Sequence, residues 1–184
     1  MERIIKSMEE KYLLPTLDLV ENVFAAWDSP EEGKTVRHLV EEIRSKEYYV
    51  PQLDLVMVDE NDQPIGYAMF SRFHLEGKYD KELLILTPVA VKTELQRQHI
   101  SKDILEHGFE VARALGYKAV IVEGDPQNYR NRGFDSSYKY GIEAGPNIHL
   151  PHPDCLMAKE LVPGGLDSIS GLVDYSMYDS LHEG

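Results

Sequence analysis

The chain contains a single cysteine, Cys155, among its 184 residues, and it has no long apolar run. One cysteine excludes an intramolecular disulfide, which favours a reducing compartment such as the cytoplasm. No stretch approaches the length of a membrane-spanning helix, and the first residues, MERIIK, lack the apolar core of a signal peptide. We therefore expect a cytoplasmic protein without a membrane partner.

Basic side chains are also scarce. The 19 lysines and arginines stand against 32 aspartates and glutamates, which gives a net charge of −13. Nucleic acids and anionic membranes bind positive surfaces, so neither is expected as a partner. The acidic balance favours cationic or amine-bearing substrates, although it would serve solubility equally well.

Apolar residues, in contrast, are plentiful enough for a sizeable core, at 42% of the chain. This content fits one medium-sized domain over residues 1–184. Residues 163–184 are predicted to form a polar C-terminal extension that either packs on this domain or stays partly mobile. The sequence leaves open whether two copies form a homodimer.

Apolar spacing predicts two N-terminal helices. The first runs from Leu13 to Trp27 and the second covers residues 33–45. The stripe of the first helix consists of Leu13, Leu17, Val20, Val23, Phe24 and Trp27. Strand patterns follow at residues 53–58 and 65–73, and a polar turn between them indicates an antiparallel hairpin.

A third strand is predicted from Glu82 to Val91, with Pro88 inside it. Proline cannot donate to the strand ladder, so it marks a bulge or a gap between neighbouring strands, or else a plain edge strand or the end of the strand. A gap would leave backbone groups of Val89 and Val91 free for a ligand.

A polar loop from Gln96 to Ser101 follows, and then a helix that ends at Gly116. Its predicted buried stripe consists of Ile100, Ile104, Leu105, Val111, Ala112 and Leu115. Free N–H groups and the positive end of the helix dipole meet at this loop, which makes it a candidate anion site.

Two further strands are predicted, at residues 119–122 and 155–161, with a short helix between them. The strand, helix and strand around the loop predict one parallel crossover. The expected fold class is therefore α/β (α+β mixed), with a central, mostly antiparallel twisted sheet that contains one parallel pair and is flanked by helices.

Three segments carry a family resemblance. Residues 96–101, QRQHIS, fall position by position on the signature Gln/Arg-x-x-Gly-x-Gly/Ala. Residues 124–134, GDPQNYRNRGF, and the ending at 161–175, which contains Gly171 and Tyr175, match two further motifs. Together with the order of the elements, they resemble the GNAT (Gcn5-related N-acetyltransferase) family and its YhbS-like branch over nearly the whole chain.

The resemblance implies an N-acetyltransferase with the GNAT acyl-CoA acyltransferase fold. Such an enzyme moves the acetyl group of acetyl-CoA to a primary amine of a small molecule or protein, by direct attack in a ternary complex. The identity of the acceptor is unknown. The implied acetyl-CoA contacts are Val89, Ala90, Val91, Gln96, Arg97, Gln98, His99, Ile100, Ser101 and Tyr129.

Three residues are candidates for proton transfer. Tyr129 matches the family tyrosine beside the cofactor sulfur, which implies the acid for the departing thiolate. Glu123 and Glu82 are candidate bases, and a chain of water molecules is the alternative to both. The alternatives are that Tyr129 only packs the short helix and that Glu123 is a solvated surface charge.

His99 is the main departure from the family pattern, because it replaces the first loop glycine. Glycine permits positive φ and lets the backbone approach a phosphate closely. An imidazole could obstruct this approach, or it could donate a hydrogen bond to the phosphate. The alternative function is therefore a non-catalytic or regulatory acyl-CoA-binding module with a degenerate pyrophosphate loop.

A metal site is the weaker interpretation of the segment that contains His149, His152, Asp154 and Cys155. These residue types bind zinc, but their spacing fits no standard site, and Pro151 and Pro153 favour an extended connector. Cys155 is expected to open a buried strand, where a thiol is usually inert.

Overall fold

The computed structural model describes residues 2–181. The contacts divide the chain into two compact units. Of the described residues, the first unit comprises 2–71, 87–108 and 177–181, and the second comprises 72–86 and 109–176. Residues 182–184 of the predicted C-terminal extension lie outside the described residues.

The helices are α1 (Leu13–Trp27), α2 (Pro30–Arg44), α3 (Ile100–Ala114) and α4 (Pro126–Tyr129). The strands are β1 (Ile4–Ser7), β2 (Asp54–Val58), β3 (Pro64–Arg72), β4 (Leu83–Val91), β5 (Ala119–Glu123), β6 (Asp135–Ser136), β7 (Ile142–Ala144), β8 (Leu156–Glu160) and β9 (Gly171–Val173). No helix among residues 2–181 is both long and apolar enough to cross a membrane.

Seven strands form the main sheet, in the order β1-β2-β3-β4-β5-β8-β6. The pairing of β2 with β3 is the predicted antiparallel hairpin, and β4 and β5 form the predicted parallel pair. The predicted fold class is thereby confirmed. Three features were not predicted: β1, which pairs with β2; β6, which pairs with β8; and a separate parallel pair of β7 with β9.

The burial pattern of strand β4 changes near Pro88. Its position between β3 and β5 shows that the edge-strand alternative is wrong. The register with β5 covers Leu83 to Ile85, where both faces of β4 are buried. From Thr87 onward buried and half-buried residues alternate, so one face of this part of the strand is partly open. This pattern favours the gap.

The two N-terminal helices lie where the apolar pattern puts them, with differences at their ends. Helix α2 begins at Pro30 rather than at residue 33, because Ser29 caps it by accepting a hydrogen bond from the Glu32 N–H at 3.1 Å. In α1 the prediction of a buried stripe is wrong for the first and last of its residues, because Leu13 is 37% exposed and Trp27 is 79% exposed.

Among the described residues of the first unit, one charged residue is fully buried, Asp54 on β2. Its carboxylate accepts from Arg44 Nε at 3.0 Å, from Tyr49 Oη at 2.6 Å and from the Tyr67 hydroxyl. Burial and the Asp54 carboxylate raise the pKa of Tyr67 well above its ordinary value. Asp54 is thus a paired and fully hydrogen-bonded buried charge, as a folded core requires.

Helix α3 and strand β8 also differ from the pattern at single residues. Leu115, predicted in the buried stripe of α3, is 42% exposed, and Val111 is only half-buried, whereas Phe109 is buried. The late strand begins at Leu156, so Cys155 lies before it and is half-buried rather than buried. The last helical turn of α3 is closed by Gly116, whose φ is +95°, as predicted.

Candidate functional site

The loop that follows β4 contains two left-handed residues. Arg97 has φ +65° and His99 has φ +64°, so both occupy the region that glycine adopts freely. Histidine enters this region more readily than most side chains do. His99 therefore provides the backbone conformation that the signature assigns to glycine, and its side chain is exposed.

This loop ends in a run of free backbone donors. The Asp103 N–H begins the hydrogen-bond pattern of α3 by donating to His99 O at 3.0 Å. Among residues 2–181, no protein acceptor receives the backbone N–H groups of residues 97–102. Such consecutive donors at a helix N-terminus match the chemistry of a phosphate group. Arg97 and Lys102 add two exposed positive side chains, and Asp103 adds one opposing charge.

Close packing fixes the start of α3. Ile100 is only 1% exposed, so it is buried at the first position of the helix. A Cβ atom on Gly66 of β3 would lie 2.6 Å from Ile100 Cγ2 and 2.8 Å from Ile104 Cδ1. Glycine at this position therefore lets the first turn of α3 lie directly on the strand.

Arg3 holds the middle of the loop, a contact that the sequence did not reveal. Its Nη1 donates to Gln98 O at 3.1 Å, and its Nη2 donates to Gln98 Oε1. The two residues are 95 positions apart in the chain, and no spacing pattern connects them.

The predicted strand contacts lie in the same unit as the loop. Val89 and Val91 are half-buried on one face of β4, and Ala90 is 2% exposed on the other. The backbone groups of this part of β4 and those of the loop therefore belong to one compact unit.

Tyr129 lies in the second unit, at the end of α4. Asp125 caps this short helix by accepting from the Gln127 N–H at 2.9 Å. The Tyr129 ring packs edge-on against Phe134, with 5.7 Å between the centroids, and a Cβ on Gly124 would lie 2.7 Å from it. Burial raises the pKa of Tyr129 to about 12, against a smaller opposing effect of Arg132. The phenol is therefore protonated at neutral pH.

Glu123 is exposed at the end of β5, also in the second unit. Tyr175 donates a hydrogen bond to Glu123 Oε1 at 2.7 Å. The Tyr175 ring also lies 6.1 Å from that of Phe73. The sequence motif pointed to Tyr175 without revealing this contact, because 52 residues separate it from Glu123.

The sequence model of the Acetyltransferase (GNAT) family matches residues 18–135. The chain belongs to this family. The uncharacterized N-acetyltransferase YhbS of Escherichia coli K12 is 27% identical over 157 residues, which cover 82% of this chain and 84% of YhbS. YjhQ of the same strain is 28% identical over 146 residues, or 78% of each chain.

Solved structures of GNAT proteins share the fold. The crystal structure of Escherichia coli YhbS in complex with CoA has a TM-score of 0.85 at 22% identity, and the match covers 100% of this chain and 93% of YhbS. A GNAT acetyltransferase of Brucella melitensis in complex with acetyl-CoA has a TM-score of 0.71 at 21% identity, with 98% of each chain covered. The resemblance to the YhbS-like branch is thereby confirmed.

For this GNAT chain, the predicted site residues fall into two sets. The strand residues 89–91 and the loop residues 96–101 lie in the first unit. Glu123 and Tyr129 lie in the second. Their roles stay predictions, and each set is described within its own unit.

The histidine and cysteine segment before β8 forms local contacts. His152 Nδ1 accepts from the Asp154 N–H at 3.1 Å, and Arg130 Nη2 lies 3.4 Å from Asp154 Oδ2. Within residues 2–181, no three histidine, cysteine, aspartate or glutamate side chains are grouped so that they could hold a metal ion.

Proposed function

We propose that the chain is an acetyl-CoA-dependent N-acetyltransferase whose acceptor is a primary amine of a small molecule or protein. The observation that carries the proposal is the run of free N–H groups at residues 97–102, between left-handed loop residues and the start of α3. Family membership supports it, as do the CoA and acetyl-CoA in the similar structures from Escherichia coli and Brucella melitensis.

The loop is proposed to hold the pyrophosphate of the substrate. Its backbone N–H groups supply the hydrogen bonds, and Arg97 and Lys102 supply positive charge. His99 fits this role because its backbone already has the required positive φ.

The chemical step is direct attack of a neutral amine on the acetyl thioester. A C–N bond forms and the C–S bond breaks, so the sulfur leaves as a thiolate and the amine gives up a proton. We assign the amine proton to the Glu123 carboxylate, which Tyr175 orients. Backbone groups near Val89 and Val91 are assigned to the thioester oxygen, where hydrogen-bond donors stabilise developing negative charge.

Tyr129 is assigned to the leaving sulfur. An ordinary thiol has a pKa of about 8.5, well below the value near 12 that burial gives Tyr129. Because the phenol is the weaker acid, its contribution is a hydrogen bond to the developing thiolate rather than complete transfer of its proton. The leaving sulfur needs only this modest assistance, since a thiolate is a good leaving group.

Calorimetric titration with acetyl-CoA, followed by an assay of CoA thiol release over a panel of amines, tests the proposal. The panel contains a diamine, an aminoglycoside, free amino acids and a peptide with a free N-terminus. Binding with turnover supports the enzyme. Binding without turnover on any amine favours the non-catalytic module, and absence of binding by the unmodified chain overturns both.

The variant His99→Gly decides whether the imidazole obstructs the loop. We expect its affinity for acetyl-CoA to stay within about threefold of the unmodified chain, because His99 already has a positive φ and an exposed side chain. Much tighter binding by the variant would show obstruction and would favour the degenerate-loop alternative.

A further inference from the structure

The contact between Arg3 and Gln98 joins the N-terminal segment to the proposed pyrophosphate loop. The arginine donates to both the main-chain and the side-chain oxygen of Gln98. Gln98 is the residue between the two left-handed positions, Arg97 and His99. The guanidinium therefore fixes the loop at the point where its backbone is most constrained.

Arg3 is itself fixed by the sheet. Strand β1 starts at the next residue, and Ile4 pairs with Val58 of β2. The arginine is half-buried, and its Nε is buried without a hydrogen-bond partner in the described part of the chain. A planar guanidinium has little freedom once two of its nitrogens are engaged, so the contact has a defined geometry.

The loop needs such a contact because it lacks glycine. Residues other than glycine are strained in the left-handed region, and they persist there only where surrounding contacts impose the conformation. On the C-terminal side, His99 O accepts from Asp103 and Ile100 is buried against the strand. Arg3 supplies the corresponding contact at the centre of the loop.

We propose that Arg3 is a positioning residue for acyl-CoA binding, which holds the glycine-free loop in its binding conformation through Gln98. The proposal rests on the proposed function, since it concerns the same pyrophosphate site. A loop that is already ordered loses less conformational freedom when it binds, so the contact raises affinity without touching the substrate.

The test compares Arg3→Lys with Arg37→Lys in calorimetric titrations with acetyl-CoA. Lysine keeps the positive charge but cannot donate two bonds in the arginine geometry. Arg37 is a suitable control because it is another arginine of the first unit, paired with Asp18 at 2.7 Å on α1 and α2. We expect Arg3→Lys to weaken binding about threefold to tenfold, and Arg37→Lys to bind like the unmodified chain.

Two further measurements separate positioning from general stability or direct contact. Trypsin should cleave after Arg97 faster in ligand-free Arg3→Lys than in Arg37→Lys, because the loop is released. Gln98→Ala should weaken binding in the unmodified background and have a smaller effect in Arg3→Lys, since both changes remove one shared contact.

The outcomes distinguish this proposal from the proposed function. If the unmodified chain binds acetyl-CoA and Arg3→Lys binds within about twofold of it, the positioning role is overturned and the proposed function stands. Fully additive effects of Arg3→Lys and Gln98→Ala would also overturn the positioning role, because Arg3 would then act independently of Gln98. If the unmodified chain does not bind, the proposed function fails, and the positioning role fails with it.

Discussion

At the scale of single residues, Tyr129 gives the most direct test of the chemistry. We expect Tyr129→Phe to lower turnover by about tenfold to a hundredfold, because the hydrogen bond to the leaving sulfur is lost. Acetyl-CoA affinity should change little, since the ring against Phe134 is retained. Burial raises the pKa of Tyr129 to about 12, so the rate ratio should be constant from about pH 6 to about pH 9. Steady-state rates and calorimetry measure both quantities.

The matched control at this scale is Tyr138→Phe, a tyrosine of the same unit that is 38% exposed. Within the described part of the chain its hydroxyl accepts a single long hydrogen bond, of 3.4 Å from the Ala144 N–H, so neither turnover nor affinity should change. Equal turnover of Tyr129→Phe and the unmodified chain would remove Tyr129 from the mechanism and leave it a packing residue.

Trp27 and Val20 show that apolar spacing alone does not predict which residues of a helix are buried. The spacing puts both on one stripe, but Trp27 at the end of α1 is 79% exposed and Val20 is 0% exposed. We expect Trp27→Ala to change the free energy of unfolding by at most about 1 kcal/mol, and Val20→Ala to lower it by about 2 kcal/mol. Urea unfolding of the two variants measures this difference, and the opposite order would contradict the burial of α1.

At the scale of elements, the position of α3 on β3 depends on glycine. Gly66→Ala would push against Ile100 and Ile104, so we expect about 1–3 kcal/mol of lost stability together with weaker acetyl-CoA binding. Gly108→Ala is the control, because its Cβ would meet the Phe70 ring further along the helix. It should lose stability and keep its affinity. Equal affinity of the two variants would show that the loop does not depend on this packing.

The elements that could be predicted from the sequence are those whose signal is local. Helix α2 has its apolar face and its Ser29 cap within the segment itself, and β4 has an apolar run that Pro88 punctuates. The short strands β1 and β9 have only four and three residues, and each is defined by the strand that it pairs with. Their own residues carry too little pattern to predict a strand.

At the scale of the whole molecule, the same distinction applies to the candidate site. The loop signature is contiguous, so residues 96–101 could be found by comparing one segment with a family motif. Arg3 and Tyr175 contact Gln98 and Glu123 across 95 and 52 positions of the chain. Such contacts depend on how each unit folds, so they cannot be predicted from a local pattern in one sequence.

The carboxylate of Glu42 connects α2 with the last residues that the structure describes. Glu42 accepts hydrogen bonds from the backbone N–H groups of Asp179 at 2.8 Å and of Ser180 at 2.9 Å, and from the Ser180 hydroxyl at 2.5 Å. Partial burial opposes ionisation, but these hydrogen bonds outweigh it and lower the pKa of Glu42. A lowered pKa means that the carboxylate stabilises the folded state above its ordinary range near pH 4 and loses this effect as pH falls through the folded value.

We therefore expect Glu42→Gln to lower the free energy of unfolding by about 1 kcal/mol near neutral pH and to have a clearly smaller effect at about pH 3, because the carboxylate is lost as pH falls through its lowered pKa. Urea unfolding at the two pH values measures the difference. Glu41→Gln is the matched control, because its exposed side chain makes only long contacts, at 3.8 Å to Arg37 Nε and 3.9 Å to His38 Nδ1, among the described residues. A loss in Glu42→Gln that is equal at both pH values would show that shape, rather than the charge of this carboxylate, holds residues 177–181 on the first unit.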